Sequence, residues 1–229
     1  ERTSSFSLAS IFALRMFGLF IILPVFAVYA RELPGGDSET LVGITLGIYG
    51  LTQGLLQIPF GVASDRLGRK PVIIFGLIIF ALGSFLAASG ANIWIVMLGR
   101  MLQGAGAISA AVTAFIADSV RVQVLTKAMA MVGASIGLTF ALSLLISPPL
   151  TKLWGVSGLF TLTGISALIA VLVVKFVVPP APQSAIDEKN EHRSWRKVVC
   201  DPQLVRLNIG IFVLHAVLTA IFVVIPTRL

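Results

Sequence analysis

Two arginines, Arg15 and Arg100, stand inside long apolar runs of this chain, where a charge is expensive. At the centre of a membrane-spanning helix each costs about 2.5–3.5 kcal/mol on insertion scales, so such groups normally face a protein interior or a wet cavity. With about 1.5 Å of rise per helical residue, Arg15 lies roughly 14 Å from the inner end of its run and Arg100 roughly 12 Å from the outer end of its own, both near the midplane. Their chemistry is either that of a substrate or proton path, or that of guanidinium groups tied off by helix carbonyls and by amides such as Gln53, Gln57 and Gln103. No carboxylate falls at membrane depth, which leaves His215 in the last apolar run as the buried titratable candidate for proton coupling. A lone histidine on an apolar helix is more often a satisfied packing residue.

A second charged constellation sits at an edge. Residues 59–71, Pro-Phe-Gly-Val-Ala-Ser-Asp-Arg-Leu-Gly-Arg-Lys-Pro, place Asp65 among Arg66, Arg69 and Lys70 between two apolar runs. Gly61 and Gly68 are expected to permit a tight turn there. An ordinary basic loop at the inner membrane face would explain the bases, but not the ordered spacing of Gly, Asp, Gly and Arg.

The elements that must carry these residues are membrane helices. The chain is 57% apolar and only 12% charged, against about 25% charge in an average soluble domain. Crossing the hydrocarbon takes about 20 apolar residues. Seven spans are expected, at 6–30, 40–63, 71–90, 92–117, 127–150, 154–178 and 204–226, with Ser89-Gly90-Ala91-Asn92 turning the third into the fourth and Pro148-Pro149 ending the fifth. An inside N-terminus puts twelve bases in the cytoplasm (Arg2, Arg66, Arg69, Lys70, Arg121, Lys127, Lys175, Lys189, Arg193, Arg196, Lys197, Arg206) and leaves Arg31, Lys152 and Arg228 outside. Tyr29, Trp94 and Trp154 then fall at outer ends, where amphipathic rings prefer the headgroups. The first span is expected to be retained despite the small residues of Val28-Tyr29-Ala30, because Arg15 and Pro24 interrupt it.

This gives three parts: a six-helix bundle over 1–178, a cytoplasmic linker over 179–203 and a seventh helix over 204–229. Within the linker, Ser194 to Val199 could lie as an interfacial helix or be a solvated tether. Gly43, Gly47, Gly50 and Gly54 stack on one face of the second helix, and Gly133 and Gly137 on the fifth. Those faces suit either permanent packing within the bundle or a sliding contact. Gly50-Leu51-Thr52 and Gly137-Leu138-Thr139 echo one another as a 3+3 inverted repeat would.

The 59–71 segment resembles the signature cytoplasmic loop of major facilitator superfamily transporters. Leu98-Gly99-Arg100-Met101-Leu102-Gln103-Gly104-Ala105-Gly106-Ala107 is similar to the fourth-helix motif of the same superfamily. Arg15-Met16-x-Gly18 through Pro24 and Tyr29, Gly50-Leu51-Thr52-Gln53, Gln57-Ile58-Pro59-Phe60-Gly61 and Thr126-Lys127-Ala128-Met129-Ala130 resemble the YajR-type drug and proton antiporters of bacteria. The resemblance implies an all-α fold: a six-helix N-terminal bundle plus the first helix of a second one. It also implies proton-coupled efflux of small amphipathic compounds by alternating access, in a bacterial inner membrane. Gly61, Asp65, Arg66, Gly68, Arg69, Lys70 and Asp118 would form a conformational latch for the outward-facing state. Arg15, Gln53, Gln57, Arg100, Gln103 and His215 would serve substrate or coupling. The implied partners are a small-molecule substrate, protons, membrane lipid and a missing C-terminal half.

The pattern also departs from that family. Ser143 and Ser147 precede Pro148 where antiporters often carry a glycine-rich Gly-Pro motif, and Leu125 stands where the YajR type tends to have a base. Nothing in the sequence asks for a metal or cofactor: Cys200 is single, and no glycine elbow, paired acids or ligand cluster accompanies it and His192. The bases lie in short loops, which argues against nucleic acid. A seven-helix receptor would need an outside N-terminus, against the basic bias. A membrane-embedded enzyme would need a His, Asp or Ser cluster near one face.

Overall fold

The structure, a computed structural model, describes residues 2–178 and 202–224, and among them every regular element is helical. In order these are α1 (Arg2–Phe20), α2 (Leu23–Glu32), α3 (Glu39–Leu67), α4 (Arg69–Ala88), α5 (Ile93–Ala105), α6 (Ser109–Ser119), α7 (Val122–Phe176) and α8 (Pro202–Val224). The chain divides into two compact units, Glu1–Pro182 and Gln183–Leu229. The Ser194–Val199 segment lies outside the described residues.

The first and fourth spans are each interrupted. Pro24 cannot donate a backbone hydrogen bond, and a turn at Ile21–Ile22 separates α1 from α2. Val25 and Phe26 both donate to the Ile22 carbonyl. The Ile21 carbonyl is taken instead by the buried Ser147 hydroxyl of α7. Between α5 and α6 the break falls at Gly106, whose amide donates back to Leu102 and Gln103.

Two sequence expectations shift here. The charged segment is not a loop: α3 continues through Pro59 to Leu67, and only Gly68, at φ 93°, separates it from α4. Gly61 is therefore helical, and a Cβ there would meet Ala110 at an ordinary 3.7 Å, so the tight turn rests on Gly68 alone. Likewise the fifth span does not end at Pro148-Pro149. Proline is tolerated within a membrane helix when neighbours re-satisfy the freed carbonyls, and α7 runs on to Gly155, where φ 65° and ψ 175° reverse the chain. Residues 122–154 and 156–176 are its two limbs. A single 55-residue helix would be roughly 80 Å long, far beyond a bilayer core of about 30 Å, so the reversal at Gly155 makes α7 two crossings.

Within the first unit, α5 is wedged against both neighbours through glycine. A Cβ on Gly99 would meet the Ala87 amide at 2.6 Å and the Gly83 carbonyl at 2.7 Å; one on Gly104 would meet Thr52 Oγ1 at 2.0 Å and the Tyr49 carbonyl at 2.2 Å. In lipid, helices gain little from apolar burial as such, so this close van der Waals approach is what binds α5 to α3 and α4. Ile73, Leu77, Ile108, Val112, Phe115 and Val174 pack the core towards the charged end.

The two glycine stripes behave otherwise. A Cβ at Gly43, Gly47, Gly50, Gly54, Gly133 or Gly137 would meet nothing within 4 Å among the described residues.

Candidate functional site

At one end of the bundle, Gly68 reverses the chain so that Arg69, the first residue of α4, returns beside the last turn of α3. Its Nε donates to Asp118 Oδ2 at 2.8 Å, and its Nη1 to Ser64 Oγ at 2.7 Å and to Asp65 Oδ1. Ser64 is buried and its hydroxyl donates in turn to the Gly61 carbonyl at 2.7 Å. One guanidinium thus joins the ends of α3, α4 and α6. Burial differs around it: Asp118 is 26% exposed and Asp65 62%, so the Asp118 pair is the better shielded from solvent. Lys70 donates to the Val178 carbonyl at 2.6 Å, fixing the exit of α7 to the same end. Arg66 is exposed and makes no ion pair among the described residues.

At the opposite end Arg31 pairs with Glu39 at 2.7 Å, the Ile93 amide meets the Pro34 carbonyl, and the Ser157 hydroxyl meets the Ala88 carbonyl. Trp94 and Trp154 are exposed there.

The two buried arginines have different surroundings. Arg15 bridges the α5–α6 break: Nη1 donates to Ser109 Oγ at 2.7 Å, and Nη2 to Gln53 Oε1 and the Gly106 carbonyl, both at 3.2 Å. Three neutral acceptors, from α3, α6 and the break between α5 and α6, spread its charge. Arg100 has far less. It is 1% exposed, and Nη1 donates to Gln103 Oε1 at 3.1 Å, while Gln103 Nε2 donates to Ser84 Oγ at 2.7 Å. Its guanidinium lies over the Tyr49 ring, 4.8 Å from the centroid, where the negative π face favours a cation. Nε and Nη2 are buried with no hydrogen-bond partner among the described residues, as is the Tyr49 hydroxyl.

The predicted site residues therefore fall into separate groups. Asp65, Arg69 and Asp118 come together at one end, Arg15 with Gln53 at one interior point, and Arg100 with Gln103 at another. Gln57 joins neither arginine, and its Oε1 is buried with no partner. The His215 side chain lies outside the described residues. Sequence reasoning missed Ser64, Ser109, Ser84 and Tyr49. The three serines gave no signal beyond being polar in an apolar run, whereas Tyr49, a tyrosine at membrane depth instead of at the interfacial belt, could have been noticed.

Set beside known proteins, residues 8–229 match the family model described as Major Facilitator Superfamily. The chain is 45% identical to the inner membrane transport protein YajR of Escherichia coli (strain K12) over all of its own length and 51% of that relative's, so it spans about half of it. It is 35% identical to the tetracycline resistance protein, class B, of Escherichia coli over 53% of this chain and 31% of that protein. Among solved structures, the human organic anion transporter MFSD10 (TETRAN) superposes with a TM-score of 0.70 at 18% identity, covering 79% of this chain and 48% of that one; this likeness concerns the fold.

Proposed function

This chain belongs to the Major Facilitator Superfamily of membrane transporters, and from that premise we propose that it is one bundle of a proton-coupled exporter of small amphipathic compounds, working by alternating access. The observation that carries the reading is the pair of open glycine stripes. Gly43, Gly47, Gly50 and Gly54 on α3, and Gly133 and Gly137 on the first limb of α7, are unpacked within their own unit, which suits helices that slide against a second bundle. The Asp65–Arg69–Asp118 cluster, with Gly68 setting its geometry and Lys70 anchoring α7, supports a latch at the cytoplasmic end. The basic bias supports an inside N-terminus in a bacterial inner membrane. Similarity to a tetracycline resistance protein favours efflux over uptake. Arg15 and Arg100, with Gln53, Gln57 and Gln103, supply polarity at membrane depth, and His215 is the candidate proton carrier.

The test joins this chain to the part of the YajR relative that follows the matched segment. Everted vesicles carrying the chimera should accumulate an amphipathic dye such as ethidium in response to a proton gradient, and a protonophore should collapse the gradient of dye. The 229-residue chain reconstituted alone should move none. Dye movement by the chimera that ignores the protonophore would remove proton coupling, and flux from the chain alone would remove the need for a second bundle.

A further inference from the structure

The unpartnered edge of Arg100 has a specific shape. Nη1, the nitrogen spent on Gln103, is the one on the Cδ side of the guanidinium; Nε and Nη2 form the opposite edge, where two N–H bonds run parallel. That edge is the fork that takes a carboxylate or another planar oxyanion through two parallel hydrogen bonds. Both of its nitrogens are buried with no partner among the described residues, and the Tyr49 hydroxyl, on the ring beneath the guanidinium, is a third buried polar group in the same condition.

Charge points the same way. Asp65 and Asp118 are occupied at the charged end, Glu39 pairs with Arg31, and Glu32 and Asp37 are exposed, so no described acid neutralises Arg100. A buried guanidinium facing one amide oxygen and a ring is poorly compensated in a low-dielectric interior. Arg15 Nε is also buried without a partner among the described residues, but Ser109, Gln53 and Gly106 occupy both its terminal nitrogens, so it keeps no edge of two unspent N–H groups.

We infer that Arg100 and Tyr49 form a binding site for a carboxylate, held side-on by Nε and Nη2 of Arg100 with the Tyr49 hydroxyl as a third contact. The carboxylate belongs either to a small free acid or to an amphipathic solute. Recognition is by charge and planarity together, so a neutral amide of the same shape is refused. Gln103 is a positioning residue: its Oε1 holds Nη1, and its Nε2 is held in turn by Ser84, which fixes the guanidinium and leaves the Nε–Nη2 edge unspent.

The test uses the purified chain in a sulfonate buffer free of carboxylates, with formate, benzoate, benzamide and chloride as probes at constant ionic strength. Thermal unfolding is followed by tryptophan fluorescence, and benzoate contact by saturation-transfer NMR. Benzoate should raise the unfolding midpoint saturably and give a transfer signal, and benzamide should do neither. Arg100→Lys, which keeps the charge but loses the fork, should weaken benzoate at least tenfold, and Tyr49→Phe about threefold to tenfold. Arg100→Leu should abolish the effect while remaining at least as stable as the parent in the carboxylate-free buffer, because a buried charge is gone. Formate and benzoate competing for the site would assign it to solute carboxylates; binding of formate alone would assign it to a small free acid. Either upholds the inference. A benzoate effect unchanged in Arg100→Lys and Tyr49→Phe, a chloride effect equal to that of formate, or no carboxylate effect at all would overturn it. Binding is read without any flux, so these outcomes are separate from the success or failure of the transport proposal.

Discussion

Replacing Gly104 by alanine tests whether backbone contact between α3 and α5 holds the first unit together. The added Cβ would stand 2.0 Å from Thr52 Oγ1 and 2.2 Å from the Tyr49 carbonyl oxygen. A carbon and an oxygen need about 3.3 Å even in the closest contacts that helix pairs make, so the two helices must part by roughly 1 Å. Parting them costs about 1–3 kcal/mol of overpacking strain. It also draws the Met101 carbonyl away from the Thr52 hydroxyl, whose single proton it shares at 3.1 Å with the Ile48 carbonyl at 2.9 Å and the Tyr49 carbonyl at 3.1 Å, a loss of at most about 0.5–1.5 kcal/mol. Alanine returns roughly 1 kcal/mol of helix propensity, leaving a net loss of about 1–3 kcal/mol. Gly137→Ala is the control, since its Cβ would meet nothing within 4 Å and should cost nothing or stabilise slightly. Unfolding of the purified chain by increasing mole fraction of denaturing detergent, followed by circular dichroism, reads both. Gly104→Ala within about 0.5 kcal/mol of the parent, or Gly137→Ala equally damaged, would refute the reasoning.

At the charged end, Asp118→Asn should destabilise the chain by about 1–2 kcal/mol and Asp65→Asn by less than about 1 kcal/mol, because Asp118 is the more shielded partner of Arg69; the same unfolding titration ranks them, and the reverse order would contradict the geometry. Arg15→Leu should cost about 1–3 kcal/mol, since Ser109, Gln53 and the Gly106 carbonyl lose their donor, whereas Arg100→Leu should not destabilise. Equal effects of the two leucine substitutions would show that hydrogen-bond satisfaction does not distinguish the arginines. For topology, Leu67→Cys, at an exposed position beside the charged turn, should react with an impermeant maleimide only in everted vesicles, and Asp37→Cys only in intact cells. Labelling of Leu67→Cys in intact cells would invert the orientation.

Hydropathy in the sequence was sufficient for the class of fold, because a bilayer tolerates helices that satisfy their own backbone and little else. The order of apolar runs, the spacing in 59–71 and the Arg100–Gln103–Gly104–Gly106 pattern were sufficient for the family. The pairing of Arg69 with Asp65 was also within reach, since four residues across a one-residue turn stay close. What composition cannot express is where a helix stops. Proline reads as a breaker in sequence, yet Pro59 and Pro149 lie within helices, and the reversals fall at Gly68 and Gly155, where the backbone takes a positive φ. Nor can spacing tell which polar groups meet. Arg15 and Arg100 are alike as buried guanidinium groups in apolar runs. Tertiary structure alone decided that the break at Gly106 offers Arg15 a carbonyl and a hydroxyl, while Arg100, on an unbroken turn of α5, meets one amide and the face of Tyr49. The glycine stripes obey the same rule: small residues at fourfold spacing are visible in the sequence, but whether a neighbour fills the groove depends on helices far away in the chain. Gly104 is filled by α3, and Gly47 and Gly137 are left open.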